Sequence, residues 1–255
     1  MKIAVIGDTQ VRPQDTSWDF LTRIGMYLAE KKPDVIVQIG DFADMPSLSS
    51  YDIGKKSFEG QRYIKDIEAA QSAMGHLMSP ILREQIRILN NRKKAWNPRL
   101  ILTLGNHEDR ISRAINSDPK LDGTLSLDHL GYKAYGWEVY PFLETVIVDN
   151  VAFSHYFTSG VMGRPCSTAR LTLLKMHMSC VAGHQQGRDI AYGKRADGTE
   201  ITSIINGSCY EHNEEYLNPQ TNTHFRGFYM LHDVVNGSFD EMAVSLRYLE
   251  KRYGS

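Results

Sequence analysis

The 255-residue sequence predicts an α/β fold in which two packed β-sheets carry helices on their outer faces. The first half alternates apolar, strand-length runs with helical periodicity, a pattern that builds parallel β-α-β units. The second half changes to short runs rich in Val, Ile, Tyr and Phe, which are typical of further strands. We see neither a repeat nor a linker, so we expect a single domain over residues 1–255.

The first β-α-β unit occupies residues 2–39. Residues 2–6 and 34–39 are apolar runs of strand length. Between them, Phe20, Ile24 and Leu28 recur at helical spacing. Because the two strands are joined through a helix, we expect them to pair in parallel with a right-handed crossover.

Residues 45–98 form an insertion that is much longer than an ordinary connection between a strand and the next element. Tyr63, Ile67 and Met74 lie on one face of a first predicted helix. Ser79-Pro80 places an N-cap residue before a proline, which favours the start of a second helix. The insertion is therefore predicted to be an α-helical hairpin packed beside the functional site.

Basic side chains are in excess within the insertion. Residues 54–99 contain ten Lys or Arg against four Asp or Glu. Solvated helix faces explain this simply; the alternative is a basic rim that attracts a phosphorylated or polynucleotide substrate. The formal net charge of the whole chain is −1, so any preference for nucleic acid would have to be local.

The second half of the chain is mainly β. A third strand is expected at residues 99–104, followed by a short helix at 108–116, and one further helix is expected at 167–177. Asp149-Asn150 and Asn236-Gly237 are predicted hairpin turns. The remaining predicted strands are residues 137–140, 145–148, 151–154, 179–182, 201–206, 227–235 and 242–248.

The cysteine count and the hydropathy pattern bound the cellular setting. Cys166, Cys180 and Cys209 are odd in number and lack metal-binding spacing, so we expect reduced, buried thiols. No apolar stretch reaches the roughly 20 residues of a membrane helix, and the first strand begins at once without a signal peptide. The expectation is a cytoplasmic protein with no membrane partner and an undefined oligomeric state.

Polar side chains of metal-ligand type follow the ends of several predicted strands. Parallel strands deliver their carboxyl ends to one edge of a sheet, so these side chains are expected to share one site. Carboxylate, imidazole and amide oxygen together can hold a pair of divalent cations. The residues are Asp8, Gln10, Asp41, Asp44, Asn106, His107, His155 and His184.

Five short motifs follow one another along the chain: Gly7-Asp8-Thr9-Gln10, Gly40-Asp41-Phe42-Ala43-Asp44, Gly105-Asn106-His107-Glu108, Ser154-His155 and Gly183-His184-Gln185-Gln186. In this order they resemble the motifs of the calcineurin-like metallophosphoesterases, and the glutamines that end the first and last motifs look most like those of phage-encoded compact members. The resemblance covers roughly residues 2–210 and implies a four-layer αββα sandwich with a dinuclear metal site.

The resemblance also implies a role for each motif residue. Asp41 would bridge two metal ions, a metal-bridging hydroxide would attack phosphorus in line, and His107 would protonate the leaving oxygen. Glu108 or Asp109 could orient His107, whereas Asp44 would support its loop. The implied ligands are Asp8, Gln10 and Gln186 for metal site 1, and Asn106, His155 and His184 for metal site 2.

Two positions depart from the commonest family pattern, which has Asp-x-His and Gly-His-x-His. Here both second histidines are glutamines, Gln10 and Gln186, and both belong to metal site 1. An amide oxygen is a neutral, hard donor, whereas imidazole suits zinc, copper and iron. We therefore expect Mn²⁺, with Mg²⁺, Zn²⁺, Fe or Ni²⁺ as alternatives. The opposing hypothesis is that only metal site 2 binds an ion.

The sequence favours a compact phosphodiesterase. Asp44 is followed by Met45-Pro46 rather than by the Arg-Gly of the protein-phosphatase branch. The alternatives are a DNA nuclease of the same family, a phosphomonoesterase, and a non-catalytic scaffold. The expected partner is a phosphodiester, including a nucleotide or nucleic acid. Candidate substrate contacts are Arg164, Arg188 and Tyr210.

Overall fold

The computed structural model describes residues 1–213 and 223–254, apart from the side chain of residue 57. Two β-sheets pack face to face, and helices cover their outer surfaces. This arrangement confirms the predicted α/β class and the αββα layers. None of the helices in the described part of the chain is long and apolar enough to cross a membrane.

The first sheet has six strands in the spatial order β11-β10-β1-β2-β3-β4. The four strands β1 to β4 are parallel to one another, and β10 is antiparallel to both of its neighbours, β1 and β11. The turn between β10 and β11 falls at the predicted Asn-Gly pair. The strands are β1 (Ile3–Ile6), β2 (Val35–Gln38), β3 (Arg99–Thr103), β4 (Glu138–Tyr140), β10 (Gly227–Val235) and β11 (Ser238–Ser245).

The second sheet has five strands in the order β5-β6-β7-β9-β8. Its central strands β6, β7 and β9 are parallel, and the two edge strands are antiparallel to their neighbours. The strands are β5 (Val146–Val148), β6 (Val151–Ser154), β7 (Ser179–Ala182), β8 (Asp189–Lys194) and β9 (Glu200–Ile205).

Alternating side chains of the central strands serve two separate cores, because successive residues of a strand point to opposite faces. Val5 and Val37 pack against Phe153 of the second sheet. Ala4 and Ile36 instead belong to the core under the outer helices. The helices are α1 (Asp19–Lys31), α2 (Tyr63–Asn90), α3 (Asp109–Ser117), α4 (Ala169–Met176) and α5 (Leu246–Tyr253).

The insertion contains one long helix, α2, where the sequence predicts a hairpin of two helices. Pro80 lies inside α2 and does not begin a new helix. Proline removes one backbone donor and strains the turn before it, but Pro80 is buried against α1 at the position of Gly25. A Cβ on Gly25 would lie 2.3 Å from the carbonyl oxygen of Leu77. Close packing of the two helices therefore outweighs the local cost of the proline.

Two further elements differ from the sequence expectation. Residues 242–248 were expected as a strand, but β11 ends at Ser245, whose hydroxyl accepts a hydrogen bond from the backbone of Tyr248 and caps α5. Leu246 and Leu249 of α5 are buried. Their spacing of three residues buries both side chains in a helix, and this burial outweighs the strand-like pattern of the local sequence. Strand β8 was not predicted, because its residues are only partly buried at the edge of the second sheet.

The three cysteines are free and buried, as expected. Cys180 lies in β7 and packs with Cys166 in the small core beneath α4, whereas Cys209 belongs to the core under the helices of the first sheet. Burial raises the pKa of the Cys180 thiol to about 12, so this thiol is not activated as a nucleophile.

Candidate metal centre

Glycines end several of the strands that point at the candidate site, because the neighbouring chain leaves no room for a side chain. A Cβ on Gly105 would lie 2.1 Å from Oδ1 of Asp41. A Cβ on Gly183 would lie 2.4 Å from Oδ1 of Asp8. The glycines therefore allow loops from both sheets to converge on the two aspartates.

The four residues assigned to metal site 2, counting the bridging aspartate, lie together. The ligand atoms of Asp41, His155 and His184 all lie within 4.8 Å of one another. Asn106 Oδ1 is 2.9 Å from His155 Nε2 and 2.8 Å from His184 Nδ1. His155 Nε2 also lies 3.3 Å from Oδ2 of Asp41. Carboxylate, amide and two imidazoles thus face a single point.

The electrostatics of this cluster favour a cation. Burial would raise the pKa of Asp41, but the nearby imidazoles of His107 and His155 hold it well below its usual range. Burial would lower the pKa of His155, yet the charges of Asp41 and Asp8 raise it to about 9. The pKa of His184 is lowered to about 4 by burial and by the neighbouring His155. Buried carboxylates are stabilised in their ionised form by nearby positive charge, and a divalent cation supplies that charge.

Asp8 provides an oxygen suited to metal site 1. Its Oδ1 accepts a hydrogen bond from the backbone N–H of His184 at 3.1 Å. Its Oδ2 is buried and has no hydrogen-bond partner within the described residues. Burial, together with the charge of Asp41, raises the pKa of Asp8 to about 8. An unsatisfied buried carboxylate oxygen is costly, and a metal ion would satisfy it.

The two glutamines differ in how they are held. Gln10 is buried, and its backbone N–H donates to the carbonyl of Asp41 at 2.9 Å. Gln186 is held through its side chain, because Oε1 accepts a hydrogen bond from the hydroxyl of Tyr210 at 2.6 Å. This bond leaves the second lone pair of the Gln186 amide oxygen available to a cation.

Three of the candidate ligands occupy the left-handed backbone region. The φ angles are +41° for Gln10, +50° for Asp41 and +68° for His184. Such conformations are unfavourable for residues with a Cβ, typically by about 1 kcal/mol or more each. They persist here because the surrounding loops fix the chain, which is common at functional sites.

His107 is oriented by Asp44. Its Nδ1 lies 2.6 Å from Oδ1 of Asp44, and its backbone N–H donates to Oδ1 of Asp41 at 2.9 Å. The expectation that Glu108 or Asp109 orients His107 is therefore wrong. The loop after β2 places the carboxylate of Asp44 against the imidazole instead. Burial would lower the pKa of His107, but the charges of Asp41 and Asp44 outweigh burial and raise it.

Glu108 shapes the loops around the site. Its buried carboxylate accepts hydrogen bonds from the backbone N–H groups of Asp41, Ala43 and Gly105 at 2.9 to 3.0 Å. The hydroxyl of Tyr132 lies 3.4 Å from Oε1. Glu108 therefore ties the loop after β2 to the loop after β3. This role could not be predicted from the sequence, since the three closest donors are backbone N–H groups.

Arg110 lies next to His107 and was not among the predicted site residues. One guanidinium nitrogen donates to the carbonyl of Asp44 at 2.7 Å, and the other lies 3.4 Å from Nε2 of His107. The sequence signal for this contact is the spacing of three residues between His107 and Arg110, which brings two side chains together within a helical turn.

The three candidate substrate residues lie in different surroundings. Tyr210 is buried, and its ring stacks on His212 with centroids 4.2 Å apart. Arg188 is exposed and lies over the ring of Phe225 at 4.4 Å. Arg164 is exposed in the loop after β6. Only Tyr210 makes a described contact with a candidate metal ligand.

Comparison with known proteins identifies the class. The model of the calcineurin-like phosphoesterase family matches residues 1–194, and the chain belongs to this family. A search of curated proteins finds no match. Family membership and the clustered Asp and His ligands define the protein as a metal-dependent hydrolase of phosphoesters.

Proposed function

We propose that this protein is a phosphodiesterase that uses two divalent ions, with Mn²⁺ as the working metal. The observation that carries the proposal is the convergence of Asp41, Asn106, His155 and His184 beside an imidazole that is not one of the ligands. His107 is that imidazole, and its partner Asp44 lies outside the cluster.

The donor set fits the proposed ions. Asp41, Asn106, His155 and His184 would hold one ion, and Asp8, Gln10 and Gln186 would complete the other with Asp41. The unsatisfied Oδ2 of Asp8 and the Tyr210-held amide of Gln186 support the second assignment. Bound divalent ions activate water and polarise the phosphoryl group.

In this proposal His107 donates the proton that the leaving alcohol requires. The hydrogen bond from Nδ1–H to Asp44 leaves Nε2 as the nitrogen that faces the cluster, 3.7 Å from Oδ2 of Asp41. The two carboxylates favour the protonated imidazole and raise its pKa. A histidine held in this way is suited to act as a general acid near neutral pH.

The preference for a diester is inferred from the charge around the site. Arg110 is hydrogen-bonded to the loop at Asp44, and Arg113 is tied to the carbonyl of Asn106 and to Asp109. Both arginines are thus partly compensated. A diester carries one negative charge, whereas a monoester carries close to two near neutral pH. The site is therefore better matched to the diester.

The nuclease alternative gains little support from the basic insertion. Several of its cations are paired with carboxylates: Lys55 with Asp52, Lys65 with Glu68, and Arg87 with Glu84. Paired surface cations contribute less to the attraction of a polyanion than free ones. We therefore rank a DNA nuclease second, ahead of a phosphomonoesterase or a non-catalytic scaffold.

A side-by-side assay with Mn²⁺ tests the proposal. The substrates are bis(p-nitrophenyl) phosphate, p-nitrophenyl phosphate, a cyclic nucleotide, and single- and double-stranded DNA. We expect a small diester to give the highest kcat/KM, and His107→Ala to remove that turnover while His129→Ala retains it. His129 is the matched control because it lies on the surface and contacts Tyr63. No turnover of any diester across several metals would overturn the proposal, and faster hydrolysis of DNA would favour the nuclease.

A further inference from the structure

A cavity of about 580 Å³ lies along helix α3. Its lining on α3 extends from Asp109 to Ile115, a rise of about 9 Å along the helix axis. Small-molecule pockets typically enclose roughly 300 to 1,000 Å³. The cavity is therefore large enough for a ring system or a nucleoside-sized group.

The cavity and the metal cluster share a wall. Phe142 lines the cavity, and its ring centroid lies 6.1 Å from that of His155 and 5.6 Å from that of Tyr156. The ring of Tyr156 is in turn 4.8 Å from that of His184. A substrate whose phosphate is bound at the cluster would thus have this cavity beside it.

The floor of the cavity is apolar. Side chains from α3, from β4 and from the loops on either side of them form it, and several are buried in the main core under the helices. An aromatic or aliphatic group would lose its contact with water on entering this space, which favours binding. The apolar lining includes Leu104, Ile111, Leu125, Val139 and Phe142.

The rim of the cavity is acidic. Asp109, Asp122 and Asp128 line it, against the single ammonium group of Lys133 among the described lining residues. Lys133 is already paired with Asp128 at 2.8 Å. Asp109 is likewise paired with Arg113 at 3.3 Å, which leaves Asp122 as the lining carboxylate without a described ion pair. A second phosphate entering this space would meet that negative charge with no unpaired cation among the described lining residues to balance it. The rim therefore disfavours a polynucleotide strand.

We propose that this cavity binds one ester group of the substrate, and that it selects an apolar ring system that bears no phosphate of its own. This inference rests on the proposed phosphodiesterase function and specifies the substrate class. The apolar floor supplies the affinity, and the carboxylates at the rim exclude polyanions. The protein is thereby assigned to small aryl or nucleoside diesters rather than to nucleic acid strands.

The first experiment fills the cavity. Ser112→Trp adds a ring inside it, and Ser117→Trp makes the same change on the same helix outside the lining. Full burial of an aromatic side chain is favourable by about 1.5–3 kcal/mol. Ser112→Trp should therefore lower kcat/KM for bis(p-nitrophenyl) phosphate by roughly ten- to a hundredfold. Inhibition by orthophosphate depends on the metal centre alone, so the inhibition constant should be unchanged in both variants.

The second experiment tests the acidic rim and does not depend on the folding of the first variant. Asp122→Lys changes an exposed rim residue. Wild type and Asp122→Lys are both assayed with two substrates: thymidine 5′-(p-nitrophenyl phosphate) with a free 3′-hydroxyl, and the same compound with a 3′-phosphate. Wild type should prefer the 3′-hydroxyl, and Asp122→Lys should reduce that preference.

The outcomes separate the two proposals. Failure of the wild type to hydrolyse any of these diesters overturns the proposed function. Wild-type turnover with equal kinetics for Ser112→Trp and Ser117→Trp overturns the cavity inference alone. A wild type that prefers the 3′-phosphate overturns the selection against polyanions.

Discussion

Replacing Asp44 by Asn tests how His107 is activated. The Asp44 carboxylate lies 2.6 Å from Nδ1 of His107 and also accepts from Arg110. Asparagine keeps the shape and one acceptor oxygen but removes the negative charge. A hydrogen bond to a charged group contributes about 1.5–3 kcal/mol. Loss of the charge-assisted part should therefore lower kcat by roughly ten- to a hundredfold.

The pH profile of Asp44→Asn provides a second readout with a definite sign. Asp44 helps to raise the pKa of His107, and a general acid must be protonated to act. Activity is lost as pH rises through this pKa. Removal of the carboxylate lowers the pKa, so the falling limb of the profile should move to lower pH, by roughly one to two units.

The assay measures kcat for bis(p-nitrophenyl) phosphate from pH 5 to 9 with Mn²⁺ content determined on the same samples. Asp52→Asn is the matched control, since Asp52 is a carboxylate of the same connection that pairs with Lys55 and Ser49. Metal content should be unchanged in both variants, because Asp44 lies outside the cluster. A folded, metal-loaded Asp44→Asn protein with wild-type kcat and an unshifted profile would refute the role given to Asp44.

Three further changes test packing, burial and metal binding. Gly25→Ala should destabilise the fold by about 2 kcal/mol or more in urea unfolding, because the added Cβ would meet the Leu77 carbonyl at 2.3 Å; Gly75→Ala, whose Cβ would meet only a side-chain hydroxyl at 3.2 Å, should be neutral or stabilising. Burial raises the pKa of Asp66 to about 6, so stability should fall as pH rises from about 4 to 6, and Asp66→Asn should abolish that fall and add up to about 3 kcal/mol at pH 7. Tyr210→Phe removes the hydroxyl that holds the metal-site glutamine, and calorimetry should show weaker Mn²⁺ binding at one of two sites while the other is unchanged.

The order of elements could be predicted from the sequence wherever local pattern and tertiary burial agree. The residues of β1 and β2 and the last three residues of β3 are buried on both faces, so their apolar runs are recognisable without a structure. The single helix α2 and the helix α5 were missed for the opposite reason. At Pro80 and after Ser245, contacts with α1 decide the conformation against the local signal.

In the candidate site, too, some residues could be predicted from the sequence and others could not. Residues of metal-ligand type at strand ends could be found, because parallel strands must bring their carboxyl ends together. The supporting contacts could not. Glu108 binds backbone N–H groups, and the carboxylate that meets His107 comes from a different loop. Contacts of this kind depend on how two loops lie in space, which neither spacing nor residue type records.

The two glutamines remain the residues that set this chain apart from the common pattern of its family. If Gln10 and Gln186 bind an ion, its affinity should be lower than that of the site with two imidazoles and a carboxylate. The hydroxyl of Tyr210 then matters, because it fixes the Gln186 amide before any ion arrives. Preorganisation of this kind offsets part of the weakness of a neutral ligand.

The central claim is that two divalent ions support diester hydrolysis in this protein. The most direct test is a titration of metal-free protein with Mn²⁺, in which bound metal and the rate of bis(p-nitrophenyl) phosphate hydrolysis are measured on the same samples. The account predicts that one ion per chain binds first with little activity, and that the rate rises as the second ion binds. Full activity at one ion per chain under saturating Mn²⁺ would contradict it.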